Sequence, residues 1–330
     1  MDKRNFSQKE ILKETISGKW HDKRYYSLEA FLKNRYGCRM KKISIDAGFT
    51  CPNRDGTLDT RGCIFCSSGG SGEFAVPPDS LAARTETAGS ERFIAYFQAY
   101  TCTYAPVPYL EKLYRETLEL PFVSGISIAT RPDCLPAEVL SLLRLLKNDY
   151  PDKFLWVELG LQTIHKETAA YIRRGYPLSR FVQAVTALHE LGVPVIVHVI
   201  LGLPGEDRNM MLQTVDYLNR LPVFGIKLQL LHVLRGTDLA LDYEKGKFRV
   251  LTMEEYLDIV ISCIEHLSPD TVIHRVTGDG ARELLAAPTW SLEKKKVLNA
   301  LHHRMKLQNS YQGKYWKGEK CYAAQTADHL

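Results

Sequence analysis

Short apolar runs alternate along the chain with longer segments in which apolar residues recur every three or four positions. The first pattern predicts buried strands and the second amphipathic helices. The predicted strands cover 42–47, 93–100, 123–130, 154–161, 193–201 and 225–233, and 271–276 is left open as a seventh. The predicted helices cover 109–120, 136–148, 178–191, 210–221 and 253–267.

Strands that alternate with helices form parallel βαβ units with right-handed crossovers. We therefore expect an α/β fold, a partial (β/α)6 TIM-like barrel with N-terminal and C-terminal helical extensions. A short helix over 27–36, with Ser27 as its N-cap, precedes the first strand. The predicted divisions are an N-terminal extension over 1–42, the barrel over 43–277 and a C-terminal extension over 278–330.

A long segment from Gly48 to Pro78, rich in Gly, Ser and Asp, follows the first predicted strand. A loop of this length inside a compact domain is usually functional, and barrel enzymes carry their chemistry after the carboxyl ends of the strands. It holds three of the eight cysteines, Cys51, Cys63 and Cys66. The others are scattered: Cys38, Cys102, Cys134, Cys263 and Cys321.

Composition restricts the class of protein. The 330 residues are 45% hydrophobic and 25% charged, which is typical of a globular chain. No apolar run reaches the ~18 residues of a membrane span, and the polar N-terminus has no signal peptide, so we expect a cytoplasmic protein without a membrane partner. Cytosolic thiols stay reduced, so the clustered cysteines indicate metal binding or catalysis.

The net charge of +5 is unevenly spread. Residues 1–42 hold twelve Lys/Arg and five Asp/Glu, and residues 291–320 hold eight and two. Basic ends around an acidic middle indicate a polyanionic partner such as RNA, although lysine-rich solvated helices give the same pattern. The residues expected to contact a nucleic-acid backbone are Lys294, Lys295, Lys296, Arg304 and Lys306.

The cysteine spacing favours an iron–sulfur cluster. Eleven residues separate Cys51 from Cys63, and two separate Cys63 from Cys66. Clusters are normally held by four thiolates, so three would leave one iron open to a cofactor or substrate. The alternative is a structural zinc site, which is closed by four Cys/His ligands, and no second pair of ligands lies nearby in the sequence.

The three cysteines, with Phe65 directly before the last, resemble those of the radical S-adenosylmethionine (SAM) superfamily. The wide spacing is similar to that of the elongator catalytic subunit group, within which the sequence most resembles the bacterial YhcC-like family. Similar stretches run from Ile43 to Glu206, with weaker similarity beyond: ISIDAGFTCPNRDGT, GCIFCSSGGSGEF, FQAYTCTYAP, ATRPDCLP, VELGLQT and HVILGLPGE.

The resemblance implies that the three cysteines hold a [4Fe-4S] cluster and that SAM binds its open iron and is cleaved to a 5′-deoxyadenosyl radical. It also implies a set of cofactor contacts: Phe65 along the adenine, Gln162 and Arg174 on the cofactor, His198 on the ribose, and Gly202 in the turn that shapes the adenine pocket. Phe65 and His198 could equally be core residues, and Arg173 could take the place of Arg174.

Two further residues are expected to be catalytic, Arg131 at the end of the third strand and Glu158 in the fourth. Glu158 is a candidate for the ribose contact, because Ala129 stands near the position where related porphyrinogen enzymes carry a glutamate.

The resemblance further implies a substrate, the wobble uridine of tRNA, with 5-carboxymethylaminomethyluridine converted to 5-aminomethyluridine. The implied partners are tRNA and an electron donor such as flavodoxin or ferredoxin. Two alternatives remain open: a radical enzyme acting on a small molecule or protein, and a non-enzymatic, zinc-stabilised RNA-binding protein.

Overall fold

A sheet of seven parallel strands forms the centre of the computed structural model, which describes residues 18–86, 91–278 and 280–318. The strands are β1 Met40–Ile45, β2 Arg92–Phe97, β3 Val123–Thr130, β4 Phe154–Gln162, β5 Val195–Leu201, β6 Gly225–Leu230 and β8 Val272–Arg275. Each strand pairs with the next one along the chain, and the sheet curls into a half-barrel. A separate antiparallel pair consists of β7 Val233–Leu234 and β9 Leu285–Ala287.

Helices connect the strands and cover the outer face of the sheet. They are α1 Leu28–Tyr36, α2 Asp79–Glu86, α3 Val107–Glu119, α4 Ala137–Asp149, α5 Lys166–Tyr171, α6 Leu178–Glu190, α7 Arg208–Leu218, α8 Asp238–Glu244, α9 Met253–His266 and α10 Lys294–Leu307. Their apolar stripes pack on outward strand residues in one continuous core, to which Ile126, Val157 and Val197 contribute from the sheet. This burial is what fixes each helix against the barrel.

The predicted partial α/β barrel is confirmed, with one strand more than the six counted. The strand left open is present as Val272–Arg275, which has only four residues and therefore gives a weak alternation signal. Ser27 is the N-cap of α1, and its side chain accepts a hydrogen bond from the amide of Ala30 at 3.3 Å. Helices α2, α5 and α8 were not predicted. Residues 1–17 and 319–330, which contain the outer parts of both predicted extensions and Cys321, lie outside the described residues.

Helix α1 closes the amino end of the barrel. The ring of Phe31 lies 6.1 Å from Trp156 and 5.0 Å from Phe224, and Phe154 stacks on Trp156 with ring centroids 4.1 Å apart. Leu32 completes this apolar plug. Access to the lumen is therefore from the carboxyl ends of the strands, the end at which barrel enzymes carry their sites.

The inner face of the sheet differs from its outer face. In β1 the outward Ile43 and Ile45 are buried, whereas the intervening Lys42 and Ser44 are partly exposed. His198 is likewise the one partly exposed residue of β5. The inner face thus carries polar side chains, some of which reach water, rather than an apolar core. In the described part of the chain, no helix has the length and apolar character needed to cross a membrane.

Candidate active site

The cysteine loop, residues 48–78, follows β1 and is fastened to the rest of the barrel. The amide of Ile64 donates to the carbonyl of Ile172 at 3.1 Å, and the carbonyl of Ile64 accepts from the amide of Leu239 at 3.1 Å. Within the loop, the guanidinium of Arg54 donates to the carbonyl of Cys66 at 2.7 Å. These hydrogen bonds fix the loop to the barrel and thereby position its cysteines.

The three thiols of the loop influence one another. The amide of Cys66 donates to the carbonyl of Cys63 at 3.0 Å, which makes a tight turn between these two residues. Burial raises the pKa of Cys63 to about 12 and also raises that of Cys66, and the neighbouring Cys51 adds to both shifts. The three thiols therefore lie near one another. Among the described residues, no three His, Cys, Asp or Glu side chains are grouped closely enough to hold a single metal ion.

Two arginines lie next to the cysteine loop and share one aromatic ring. The guanidinium groups of Arg131 and Arg174 lie 5.0 and 4.9 Å from the ring centroid of Tyr176. Arg131 follows β3 directly and makes two hydrogen bonds to the carboxylate of Asp133, at 2.9 and 2.8 Å. Its charge lowers the pKa of the Cys63 thiol against the larger effect of burial. The predicted residue Arg131 thus belongs to the surroundings of the cysteines.

The structure distinguishes Arg174 from its neighbour Arg173. Arg174 is buried, and its guanidinium donates to the carbonyls of Leu161 at 3.0 Å and Thr163 at 2.6 Å. Arg173 turns the other way and pairs with Asp238 at 2.7 Å. Arg174 is therefore the arginine that faces the site, as predicted, and its contact with the cofactor stays a prediction.

Gln162 combines two signs of a functional position. It ends β4 with φ +67° at an irregularity in the pairing with β5. Its Oε1 atom is buried and has no hydrogen-bond partner among the described residues. Backbone strain and unpaired buried polar atoms cost free energy and are concentrated at functional sites. Both observations support the predicted contact of Gln162 with a ligand.

Phe65 and Gly202 lie at one wall of the site. Phe65 packs on an apolar cluster that includes Ile200 and Leu203, on either side of Gly202. Gly202 has φ +86°, and a Cβ atom at this position would lie 2.8 Å from Leu251 Cδ1, so only glycine fits. Phe65 thus borders an apolar cluster to which the neighbours of Gly202 also belong, and the roles of Phe65 and Gly202 stay predictions.

A polar cluster occupies the lumen of the barrel below the cysteine loop. One carboxylate, that of Glu158, lies at its centre. Glu158 Oε1 accepts from Lys42 Nζ at 2.8 Å and from Ser127 Oγ at 2.6 Å. Glu158 Oε2 accepts from His198 Nε2 at 2.6 Å and from Lys227 Nζ. The lumen cluster consists of Lys42, Tyr96, Ser127, Glu158, His198 and Lys227.

The charges of the lumen cluster fix its protonation. Burial alone would raise the pKa of Glu158, but Lys227, Lys42 and His198 together lower it well below its usual range. Burial lowers the pKa of His198 to about 4, so its imidazole is neutral, donates from Nε2 and keeps Nδ1 as an acceptor. A ribose contact by Glu158, as predicted, would need one of its four hydrogen bonds to open, whereas a contact through Nδ1 of His198 needs none.

Sequence reasoning missed Lys42, Tyr96 and Lys227. Lys42 was counted as one of many basic residues of the N-terminal extension, and Lys227 was not singled out. The available signal was a lysine inside a largely buried strand, Gly225–Leu230, similar to the histidine of β5 that was noticed. A charge at a buried strand position is rare unless it is paired.

Comparison with known proteins identifies the family. The model of the radical SAM superfamily matches residues 60–218, and that of its C-terminal domain matches residues 223–307. The chain belongs to the radical SAM superfamily. This radical SAM protein is 43% identical to the uncharacterized protein YtqA of Bacillus subtilis over 305 residues, 90% of the chain and 94% of YtqA. It is 35% identical to Escherichia coli YhcC over 264 residues, 78% of the chain and 85% of YhcC.

More distant relatives connect this YhcC-like family to the elongator group. The chain is 25% identical to the tRNA uridine(34) acetyltransferase of Methanocaldococcus jannaschii over 249 residues, 60% of the chain and 44% of that protein. The solved structure of Methanocaldococcus infernus Elp3 superposes with a TM-score of 0.63 at 15% identity, covering 83% of the chain and 64% of Elp3. Membership of this enzyme superfamily shows that the alternative of a non-enzymatic zinc protein was wrong.

Family membership implies a [4Fe-4S] cluster and SAM, and the residues present fit both. Three thiols lie near one another on a loop that is hydrogen-bonded to the barrel, and three thiolates suit a cluster with one open iron. The unpaired Oε1 of Gln162 supplies a buried acceptor at the neighbouring strand end. Cys51, Cys63 and Cys66 would hold the cluster.

Proposed function

We propose that this radical SAM enzyme modifies the wobble uridine of tRNA and converts 5-carboxymethylaminomethyluridine to 5-aminomethyluridine. The observation that carries the proposal is the similarity, over 60% of the chain, to a protein named for uridine 34 of tRNA. The chain covers 44% of that relative, so the common part does not include the whole acetyltransferase. The particular change at that nucleoside, loss of the carboxymethyl group, is part of the proposal.

The chain's own residues supply binding and orientation. The bound cluster and SAM would provide a 5′-deoxyadenosyl radical beside the cysteine loop. The plug around Phe31 closes the amino end of the lumen, so a nucleoside enters from the carboxyl end and meets the site there. That radical would accept a hydrogen atom from the methylene between the amine and the carboxylate of the substrate, which would leave the unpaired electron on this carbon. An external electron donor, such as flavodoxin or ferredoxin, and a cytoplasmic location are parts of this proposal.

Helix α10 supports the choice of a polyanionic substrate. Its first turn carries Lys294–Lys296 and no acidic residue, although the positive end of a helix dipole favours acids. The nearest carboxylate is that of the N-cap residue Glu293, and an added anion such as a phosphate would also be stabilised at this end. Two of the predicted backbone contacts are partly engaged within the chain, Lys296 with Glu293 at 2.9 Å and Arg304 with Asp258 at 2.9 Å. Of the five residues predicted to contact a nucleic-acid backbone, the exposed ones are Lys294, Lys295, Lys296 and Lys306.

Nucleoside mass spectrometry of tRNA from a strain that lacks the gene tests the proposal. We expect 5-carboxymethylaminomethyluridine to accumulate and nucleosides derived from 5-aminomethyluridine to disappear. Complementation with Cys66→Ala should fail, whereas Cys38→Ala, a cysteine outside the loop, should restore the wild-type pattern. Unchanged wobble nucleosides in the deletion strain would refute the tRNA assignment.

A radical enzyme for a small molecule or protein is the remaining alternative. Binding to bulk tRNA by a gel shift at several salt concentrations separates the two, because phosphate contacts make affinity fall steeply with salt. Absence of such salt-dependent binding would favour the alternative.

A further inference from the structure

The lumen cluster sets two lysines against one carboxylate. Lys42 and Lys227 both contact the carboxylate of Glu158, so the two lysines, when protonated, bring two positive charges against one negative charge. The imidazole of His198 is neutral, because burial lowers its pKa to about 4, and it adds no charge. Like charges in a buried site are costly unless an anion balances them.

The cluster still offers hydrogen-bond donors but few acceptors. A lysine ammonium has three N–H donors. Among the described residues, that of Lys42 bonds only to Glu158, and that of Lys227 bonds to Glu158 and to the hydroxyl of Tyr96 at 3.0 Å. The carboxylate of Glu158 already accepts four hydrogen bonds. A ligand that completes the cluster must therefore accept hydrogen bonds and carry negative charge.

Part of this donor surface is accessible to solvent. The side chain of Lys42 is 20% exposed and that of His198 is 16% exposed, whereas Glu158 is fully buried behind them. Lys42 and Lys227 each lie three residues before the end of their strands, which is about 10 Å below the mouth. A group that extends from a substrate at the mouth down into the lumen meets the ammonium of Lys42.

The lysines are not needed for the cofactor's own carboxylate, because the cysteine loop has separate cations. Arg54, Arg131 and Arg174 each interact electrostatically with one of its thiols. Burial lowers the pKa of Lys227 well below its usual range even though Glu158 raises it, and the charge of Lys42 lowers it further. An anion entering the lumen would stabilise the charged form of this lysine.

We propose that Lys42 and Lys227 form a subsite for a carboxylate on the side chain of the substrate nucleoside. The inference rests on the proposed function and deepens it, since it makes these two lysines the residues that select an acid-bearing nucleoside. Neutral side chains at the same uridine offer the remaining donors of Lys42 no charged acceptor and therefore bind more weakly.

The test measures binding, without turnover, of two anticodon stem-loops that differ only in the side chain, the free acid or its methyl ester. At one fixed salt concentration, phosphate contacts are the same for both, and their affinity ratio isolates the carboxylate. We expect the wild-type protein to bind the acid about 10- to 100-fold more tightly, the effect of one or two charge-assisted hydrogen bonds. Lys42→Gln should bring the ratio close to one, and Lys42→Arg should restore much of it.

Lys41→Gln is the matched control, because Lys41 is the neighbouring lysine of the same strand and points outward to Glu91 at 2.5 Å. It should keep the wild-type ratio. Equal binding of acid and ester by the wild-type protein overturns the subsite, whether or not any variant folds. A preference that persists in Lys42→Gln overturns it as well.

The two proposals fail in different ways. Conversion of the acid-bearing tRNA, together with equal binding of acid and ester, leaves the proposed function standing and removes the subsite. Unchanged tRNA in the deletion strain removes the proposed function, and a lysine-dependent preference for the acid would then still locate an anion subsite in the lumen.

Discussion

Substitution Glu158→Gln should destabilise the protein far more than its small change in shape suggests. Glutamine keeps the size of the side chain but removes the charge that balances Lys42 and Lys227. Of these two, Lys227 is only 4% exposed and cannot recover its hydration by turning to water. One of the two acceptor oxygens also becomes a donor amide, which then faces a lysine or His198.

The size of the expected loss in stability follows from the burial of the ion pair. Removal of one partner from a buried ion pair costs about 3–5 kcal/mol, since the remaining charge is left uncompensated. The same substitution at Glu91 is the control, because its pair with Lys41 is exposed, at 44% and 66% of the two side chains, and contributes at most about 1 kcal/mol. We therefore expect a several-fold larger loss for Glu158→Gln than for Glu91→Gln.

Urea unfolding of the cluster-free protein at pH 7 measures both variants. A double variant, Glu158→Gln with Lys227→Met, separates lost charge balance from lost packing, because methionine fills a similar volume without a charge. It should be more stable than Glu158→Gln alone. The reasoning is refuted if Glu158→Gln and Glu91→Gln shift the urea midpoint equally, or if the double variant is the less stable one.

The effect has a defined pH dependence. The pKa of Glu158 is lowered in the folded state, so the unfolded chain takes up this proton first as the pH falls. The stabilisation by Glu158 is complete above its unfolded pKa of about 4.3 and is lost as the pH falls further. The difference between wild type and Glu158→Gln should be constant from pH 6 to 8 and narrow below about pH 4.

Three further outcomes are expected. Anaerobic reconstitution of Cys66→Ala should give a colourless protein without iron–sulfur absorption, whereas Cys38→Ala should be brown like the wild type. A brown Cys66→Ala protein would contradict the ligand assignment. Lys295→Gln should reduce the slope of log affinity for tRNA against log salt by about one, and Lys112→Gln on α3 should not; equal slopes would exclude Lys295 from the interface. The pKa of His198 is about 4 in the folded protein and 6.5 in the unfolded chain, so the free energy of unfolding should fall by up to about 3 kcal/mol as the pH drops from 6.5 to 4. His198→Gln should remove that fall. A variant with the same dependence of urea unfolding on pH as the wild type would contradict this prediction.

The barrel could be predicted from the sequence because its signals are local. The apolar runs and the helical periodicity lie within single elements, and the prolines at the starts of α3 and α4 mark boundaries that a short window shows. Ser27 caps α1 as its type and position indicate. The cysteine loop was recognisable for the same reason, since its three cysteines lie within sixteen consecutive residues.

The lumen cluster could not be predicted because its members come from six different strands. Lys42 and Glu158 are separated by 116 residues, and only the curl of the sheet brings their side chains within 2.8 Å. The same holds for the pairing of Arg304 with Asp258, which engages part of the basic helix that the sequence suggested was solvated or bound to RNA. Charge counts along a chain do not show which charges the fold will pair.

The ionised groups of the lumen cluster occupy a place where apolar side chains would often be at least as stable, so their presence calls for a reason other than stability. Replacing a buried ion pair by apolar residues is often neutral or stabilising, so stability alone gives no reason for Lys42, Glu158 and Lys227. Their arrangement is informative because it is asymmetric. The carboxylate of Glu158 already accepts four hydrogen bonds, whereas the ammonium of Lys42 is partly exposed and has donors that make no hydrogen bond to the described residues. In such an arrangement Glu158 positions the two lysines, and the ligand that their remaining hydrogen-bond donors would bind is an anion.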